Sequence, residues 1–366
     1  MIGCQTHWPH CRKQGDMKQK IIFVFMASLL FACSATTSQP SASTSSESTE
    51  PPCWTSPITG ICADESVPTL VVKIDDVSDA RPQWSLNLAD IVIVEPVEGG
   101  LTRLFAVYQS TAPTTLGPIR SARVSDIDLA AAFGQPGLAY SGASSKTSPF
   151  LWKSTLQLVG APQGGTGYYR DNERFIPHNL LGEYQDIVER IENPEKALLG
   201  DRVGWKFSQT PTLGEEIKWF RAEWPGSKKT FTWDENLSKW KMKVYEEDLM
   251  TLVGDNLLED AVTDTVFVMQ TNLMPLPYKT NAISPTPYPK TFGTGTGYVL
   301  SKGTIIKATW KRPTINDLPK WYTVAGKEIA VSPGTAWWLV LSERDSLTIK
   351  YPKPTKSPTP SESASS

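Results

Sequence analysis

The chain has 366 residues, enough for two domains, and its 36 basic residues nearly balance 38 acidic ones. Residues 1–32 contain four basic and one acidic residue, which leaves 32 basic against 37 acidic residues in the remainder, a formal charge of −5. A net acidic protein lacks the basic surface that nucleic acid requires, so nucleic acid is excluded as a partner, and an anionic lipid surface is disfavoured on the same ground.

The N-terminal segment predicts export and lipid anchoring. Residues 1–16 are interpreted as an extension ahead of the true start, because Met17 opens a complete signal sequence over residues 17–32. Its apolar core is too short for a membrane span, which needs about 20 residues. The stretch LFAC, ending at Cys33, resembles the lipobox of bacterial lipoproteins, in which the cysteine takes a diacylglyceryl group. The alternatives are an ordinary signal peptide and an uncleaved anchor.

Two segments have the composition of disordered chain. Residues 33–52 are rich in Ser, Thr and Pro and contain few large apolar side chains, which is typical of a solvated stalk. Residues 352–366 have the same character and predict a disordered tail. The folded part is therefore expected to lie between these two segments.

Cys53 and Cys62 are the two cysteines of the predicted folded part. Outside the membrane such a pair oxidises. A redox-active pair usually has the spacing C-x-x-C, which these residues lack. We therefore predict a structural disulfide between them, at the point where the stalk meets the first domain.

The first predicted strands are apolar and end in charged residues. Residues 69–74 form a short β-branched run, and residues 90–97 and 101–110 predict a hairpin turned at Glu98-Gly99-Gly100. Alternation places Arg103 on the same face as Phe105 and Val107. An arginine on a largely apolar strand requires a specific partner.

Helical patterns follow, and then the chain changes character. Residues 121–133 predict a helix ended by Gly134, and further helices are expected over residues 148–159 and about 180–192. Nine of the 13 tryptophans lie after residue 200, among short strand patterns separated by turns.

These patterns place a boundary near residue 200 and predict an α+β, two-domain layered sandwich. An N-terminal α/β-like domain over residues 53–200 is followed by a mostly β C-terminal domain over residues 201–351.

A specific set of motifs gives a family resemblance. EPVEGGLTRLFAVYQS, GPIRSAR and PHN occur in this order after ARPQ, and GTGTGYVLSKGTIIKATWKR and SPGTAWWLV follow later. The set resembles the YerB-like lipoproteins, with N- and C-terminal domains, over residues 66–342. The resemblance implies a layered α+β sandwich and no assigned activity. One departure is Asp76, where the family more often has asparagine.

Arg120 and Arg123 flank Ser121 where the predicted helix begins. The positive end of a helix disfavours cations and its free N–H groups favour an anion, so negative charge is expected nearby. Internal carboxylates could supply this charge, from Glu95, Glu98, Asp126 or Asp128. The alternative is an external carboxylate or phosphate ligand held by the two guanidinium groups.

The arginines belong to a larger predicted cluster at the strand ends, where ligands of α/β sheets gather. A buried ion-pair network is the alternative interpretation. The candidate ligand-binding residues are Arg81, Glu95, Glu98, Arg103, Arg120, Ser121, Arg123, His178 and Asn179.

An enzymatic site has little support from the sequence. His178 is the one histidine after residue 32, so a triad would need Ser121 as nucleophile and Asp75 or Glu95 as its orienting carboxylate. No G-x-S-x-G elbow surrounds Ser121. Glu95 and Glu98 form a second possible acid–base pair. We predict no catalytic residue, no metal site and no cofactor.

Two further motifs have ordinary structural interpretations. The GTGTG stretch at 293–297 precedes a strand rather than a helix, so it predicts a turn and not a phosphate loop. Four tryptophans of the second half could form an aromatic platform for sugar or protein, although alternation favours burial in the core. They are Trp310, Trp321, Trp337 and Trp338.

The sequence therefore predicts a lipid-anchored protein on the extracellular face of the cytoplasmic membrane. We expect a non-enzymatic binding or accessory protein for an anionic cell-wall component or a membrane-bound cell-wall enzyme. The alternative is a peptidoglycan-active hydrolase or transferase that uses the region of Glu95, Glu98 and His178.

Overall fold

The computed structural model describes residues 53–254 and 256–353. The predicted extension, signal sequence, stalk, lipidated Cys33 and nearly all of the predicted tail lie outside these residues. Within them, the structure contains no helix long and apolar enough to cross a membrane.

Strands dominate both halves of the described chain. The first half has nine, β1 (Leu70–Asp75), β2 (Gln83–Trp84), β3 (Ile91–Pro96), β4 (Thr102–Tyr108), β5 (Thr115–Leu116), β6 (Gly137–Ala139), β7 (Gln157–Leu158), β8 (Tyr168–Arg170) and β9 (Leu180–Glu183).

The second half contributes sixteen further strands. They are β10 (Lys206–Phe207), β11 (Glu215–Glu216), β12 (Trp219–Trp224), β13 (Ser227–Asp234), β14 (Lys239–Val244), β15 (Glu247–Asp248), β16 (Met250–Val253), β17 (Leu257–Asp260), β18 (Val262–Thr263), β19 (Thr265–Gln270), β20 (Gly293–Ser301), β21 (Thr304–Arg312), β22 (Lys320–Thr323), β23 (Ala330–Val331), β24 (Ala336–Leu341) and β25 (Ser346–Lys350).

One 11-stranded sheet joins the two halves. Its order is β11-β21-β20-β19-β24-β3-β4-β1-β6-β7, with β22 paired to β21. The join is parallel, with Ala336 opposite Ile91 and Leu339 opposite Val94. The change in composition near residue 200 therefore marks the end of the helices, while the hydrogen-bonded sheet continues across it.

The direction of the strands gathers many of their carboxyl ends at one edge. Six strands run in the same direction, namely β1, β3, β6, β7, β19 and β24. Neighbours among them pair in parallel, and β1 and β3 share a direction because both are antiparallel to β4, which lies between them. The antiparallel strands β4 and β20 begin at this edge. This edge is where open sheets commonly place ligand sites.

Apolar side chains on the two faces of the large sheet form two cores. One face packs on a six-stranded sheet built around β12, β13 and β14, through Val94, Phe220 and Trp240 among others. The other face packs on helical segments, through residues such as Phe105 and Phe133. The predicted α+β layered sandwich is confirmed.

The helices are shorter than predicted. The predicted helix 121–133 begins four residues later, as α1 (Ser125–Ala130) followed by a 3-10 turn (Ala131–Phe133). The reason is that the preceding segment is held extended, with Arg120 N donating to Lys73 O and Ala122 N donating to Gly142 O. Neither Arg120 nor Arg123 therefore lies within a helix.

Two further predicted helices give way partly to strands. The pattern 148–159 forms α2 (Ser148–Lys153) and then β7, which pairs with β6. The pattern 180–192 opens with β9 and continues as α3 (Tyr184–Val188). In each case pairing to a neighbouring strand satisfies backbone groups that a longer helix would have bonded internally.

The tryptophan platform and the GTGTG turn are not observed. Trp310, Trp321, Trp337 and Trp338 are all buried in the two cores, so the alternative interpretation as core holds. The GTGTG stretch lies within β20 itself rather than before it. The predicted disulfide between Cys53 and Cys62 is present.

Candidate functional site

Charged side chains converge at the carboxyl ends of β1 and β3. Asp75 closes β1, Glu95 lies near the end of β3, and Arg103 of the intervening β4 is opposite both in the strand register. Lys73 shares their face of the sheet because side chains alternate along a strand. The apolar face thus ends in a polar patch.

Asp75 is the centre of three contacts with basic side chains. Its carboxylate lies 3.2 Å from Arg103 Nη1, 2.9 Å from Arg120 Nε and 2.6 Å from His178 Nδ1. The carboxylate is fully buried, whereas the Arg120 and His178 side chains are 18% and 19% exposed. We call these four residues the Asp75 centre.

The Asp75 centre carries more positive than negative charge. Burial lowers the pKa of the Arg103 guanidinium; Asp75 opposes this shift, and the cations Arg120 and Arg123 add to it. The Nε of Arg103 is buried and has no hydrogen-bond partner among the described residues. Additional negative charge would therefore be favourable at this point.

Glu95 is part of a second, fully enclosed group. Lys73 contacts its carboxylate and also lies 2.7 Å from Asp126 Oδ1, and all three side chains are inaccessible to solvent. Ser125 Oγ donates to Glu95 Oε2 at 2.8 Å. This group ties α1 to the sheet, and nothing in it faces a ligand.

Glu98 and Arg123 pair with each other. Arg123 donates from Nε and Nη2 to the Glu98 carboxylate at 2.7–2.9 Å, a bidentate arrangement. Thr286 also donates to Glu98. Burial tends to raise the pKa of Glu98, but Arg123 and Thr286 outweigh burial and hold the pKa below its usual range.

Asp76 anchors a third group, which joins the two sheets. Its carboxylate accepts from Lys229 Nζ of β13 at 2.7 and 2.9 Å and from the Thr102 hydroxyl. Arg81 Nη2 donates to the Asp76 carbonyl at 2.8 Å and lies 4.0 Å from its carboxylate. Lys229 is fully buried, so its ammonium cannot reach water, and the Asp76 carboxylate compensates its charge.

Two of the predicted site residues lie apart from these contacts. Ser121 Oγ is 3.5 Å from Ser141 Oγ, and within the described residues no hydrogen bond joins Ser121 to His178. Asn179 accepts from Arg170 at 2.6 Å and donates to the Asp171 carbonyl, which fixes the loop before β9. Of the two contacts that the hypothetical triad requires, the His178–Asp75 contact is present and a Ser121–His178 hydrogen bond is absent from the described residues.

Five residues at the middle of these groups are not among the predicted ligand-binding residues. They are Lys73, Asp75, Asp76, Asp126 and Lys229. Asp75 was considered as an orienting carboxylate for His178 and Asp126 as a partner of the arginines, whereas Lys73 and Lys229 were not considered. The available signals were a lysine, Lys73, inside an apolar strand and two aspartates, Asp75 and Asp76, where that strand ends. Lys229 carried no signal, because only the packing of the two sheets brings it to Asp76.

A long connection covers part of this region. Residues 271–292, which we call the strap, join β19 to β20 and cross the hairpin turn at Glu98. Ser284 Oγ accepts from Gly99 N at 2.8 Å, and Tyr288 donates to Asp128 at 2.8 Å. Connections of this length without strands of their own are commonly functional.

The described residues offer no obvious metal site, since no three His, Cys, Asp or Glu side chains among them are grouped to hold an ion. Across the three groups and the Glu98–Arg123 pair, six lysine and arginine side chains face five carboxylates. The cations are Lys73, Arg81, Arg103, Arg120, Arg123 and Lys229, and the carboxylates are Asp75, Asp76, Glu95, Glu98 and Asp126.

Known proteins resemble this chain in sequence and in fold. A curated relative named "Putative lipoprotein YerB", from Bacillus subtilis, is 30% identical over 139 residues, which cover 37% of this chain and 42% of the relative. The match thus spans less than half of that relative's length. The crystal structure of YerB protein from Bacillus subtilis has a TM-score of 0.65 at 19% identity, covering 81% of this chain and 99% of that chain. At this identity the likeness concerns the fold.

Family models cover most of the folded part. The N-terminal domain model of DUF3048, a protein of unknown function, matches residues 58–197, and the C-terminal domain model of DUF3048 matches residues 220–338. The resemblance to YerB-like proteins read from the sequence motifs is confirmed. The chain belongs to the DUF3048 family.

Proposed function

We propose that this protein is a non-enzymatic binding protein of the cell envelope that takes an anionic group at the Asp75 centre. One observation carries the proposal: a single buried carboxylate is shared by Arg103, Arg120 and His178, two of which reach solvent. A protein with net negative charge has concentrated positive charge at one sheet edge, and an external anion would complete its compensation.

The ligand class follows from the geometry of the donors. A guanidinium group has five N–H donors, and Asp75 occupies only part of those on Arg103 and Arg120. A carboxylate or phosphate oxygen suits the remaining donors. An anionic cell-wall component has such groups, as does an acidic surface of a membrane-bound cell-wall enzyme.

The setting of the site rests on Cys33 and on the name of the relative. A lipid on Cys33, together with the stalk of residues 33–52, would hold the folded part outside the cytoplasmic membrane. The relative is described as a lipoprotein. Stable anchoring requires two or more acyl chains, since one gives only marginal membrane residence.

The proposal is tested by anion binding to the purified protein. We expect inorganic phosphate and acetate to raise the melting temperature, and Arg120→Ala to weaken binding at least about tenfold, because a charge-assisted hydrogen bond is lost. Arg221→Ala is the matched control, since Arg221 also pairs with a carboxylate but lies in the six-stranded sheet. Equal anion affinity in Arg120→Ala and the unmodified protein would refute the site.

A second candidate, a peptidoglycan-active hydrolase or transferase, has one supporting observation. His178 Nδ1 contacts Asp75 at 2.6 Å, which is the arrangement of a histidine oriented as a general base. Against it, Glu95 is enclosed with Lys73, and the lowered pKa of Glu98 makes that carboxyl a poor proton donor at neutral pH.

Incubation with peptidoglycan separates the two candidates. Binding without release of soluble fragments supports the binding protein. Soluble products that disappear in His178→Ala and Glu95→Gln would establish the enzyme instead.

A further inference from the structure

An open cavity lies at the same sheet edge as the Asp75 centre, at the carboxyl ends of β19 and β24. It is an open groove of about 460 Å³, and its walls come from both ends of the strap and from the start of β20. The groove is defined by Gln270, Asn272, Lys290, Phe292, Thr294 and Glu343. Nothing in the Asp75 centre contributes to it.

The groove offers uncharged polar groups that the protein does not use itself. The side-chain amide of Asn272 and the hydroxyl of Thr294 are exposed and have no hydrogen-bond partner among the described residues. Gln270 uses only its amide oxygen, which accepts weakly from Thr296 at 3.4 Å. Amides and hydroxyls both donate and accept, so they match ligands that do the same.

One aromatic ring and a few charges complete the lining. Phe292 is half-buried at the groove, with the Lys290 ammonium 5.7 Å from its ring centroid. The lining also has two carboxylates: Glu343 accepts from Leu273 N at 3.2 Å, and Asp345 accepts from the Ser342 N–H and hydroxyl. The groove therefore has no excess positive charge to attract an anion.

The floor of the groove is held in place by Trp310. Gly295 lies opposite Trp310 in the strand register, and a Cβ at this glycine would come within 2.7 Å of the indole. The Trp310 Nε1–H is shared between the Gln270 and Thr296 carbonyls, at 3.1 Å each. Trp310 thus holds two walls of the groove together, so a ligand meets a surface that is already organised.

We infer that this groove binds an uncharged saccharide unit. Sugar hydroxyls donate and accept hydrogen bonds in the way that Gln270, Asn272 and Thr294 require, and the apolar face of a sugar ring fits against Phe292. An extended peptide fits less well, because the lining has only Phe292 and the buried Trp310 as hydrophobic side chains, so successive apolar side chains would lack partners. This site is independent of the proposed anion site and does not need it.

The test is calorimetric titration of the purified protein with neutral tetrasaccharides of glucose and of N-acetylglucosamine. We expect saturable binding to at least one of them, weakened about fivefold or more by Asn272→Ala and by Thr294→Ala, since each removes a hydrogen bond to the ligand. Thr294→Arg, at an exposed position, should block the groove and abolish binding.

Matched controls keep the result specific. Asn236→Ala and Thr348→Ala change exposed residues of the six-stranded sheet, and Arg120→Ala changes the Asp75 centre; all three should bind the tetrasaccharide as the unmodified protein does. The inference is overturned if neither tetrasaccharide binds, if Thr294→Arg binds normally, or if an extended peptide binds the groove in their place.

Discussion

At the scale of single residues, the arginines find carboxylates on several different elements. Arg123 pairs with Glu98, one of the internal partners considered from the sequence, whereas Arg120 pairs with Asp75, which was not among them. Asp75 was considered only as an orienting carboxylate for His178, and its pairing with Arg120 was not foreseen because the two residues are 45 positions apart in the chain. The sequence shows that a charged residue needs a partner of opposite charge, but only the fold identifies that partner.

The Glu98–Arg123 pair predicts a definite pH dependence. Because the folded pKa of Glu98 lies below its unfolded value, its contribution to stability is complete above the ordinary glutamate pKa and is lost as the pH falls through the folded pKa. Glu98→Gln should therefore flatten the decline of the unfolding free energy in acid.

Denaturant titrations at a series of pH values measure this effect. Glu216→Gln, which changes an exposed glutamate of β11, should leave the slope unchanged. Identical slopes for Glu98→Gln and the unmodified protein would show that the pair contributes nothing in solution.

At the scale of elements, the hairpin of β3 and β4 was predictable, whereas the extended backbone before Ser125 was not. The Glu98-Gly99-Gly100 turn has positive φ at both glycines, as glycine-rich hairpin turns require. The pattern from residue 121 has helical spacing, yet backbone bonds to β1 and to Gly142 keep its first residues extended. Local periodicity does not register such tertiary pairing.

The two turn glycines give a matched pair of substitutions. Alanine at either position must adopt the left-handed backbone, which costs about 1–2 kcal/mol. At Gly100 the new Cβ would also lie 2.6 Å from Pro225 Cβ, whereas nothing lies within 4 Å at Gly99. We therefore expect Gly100→Ala to lower the unfolding free energy by about 1–3 kcal/mol more than Gly99→Ala. Equal losses in chemical denaturation would show that the turn relaxes away from Pro225.

At the scale of the whole molecule, the two family segments share one sheet. The layered α+β class followed from the order of strands and helices, but the insertion of β24 between β19 and β3 did not. Parallel pairing between strands more than 200 residues apart leaves no local pattern. Separation in the chain also explains why the Lys229–Asp76 pair was missed, since these residues are 153 positions apart.

A shared sheet predicts that the two halves unfold together. Tryptophan fluorescence is dominated by the second half, whereas far-UV circular dichroism reports both halves. Because β24 is hydrogen-bonded to β3, both signals should follow one coincident transition in denaturant. Two separated transitions would mean that the halves are independent in solution.

The most direct test of the central claim is to remove the carboxylate that Arg103, Arg120 and His178 share. In Asp75→Asn the two guanidinium groups lose their buried counter-ion and His178 loses its hydrogen-bond partner, so the unfolding free energy should fall by about 3–5 kcal/mol. If the centre accepts external anions, phosphate should then raise the melting temperature of Asp75→Asn more than that of the unmodified protein. An equal or smaller rise in the variant would contradict the account.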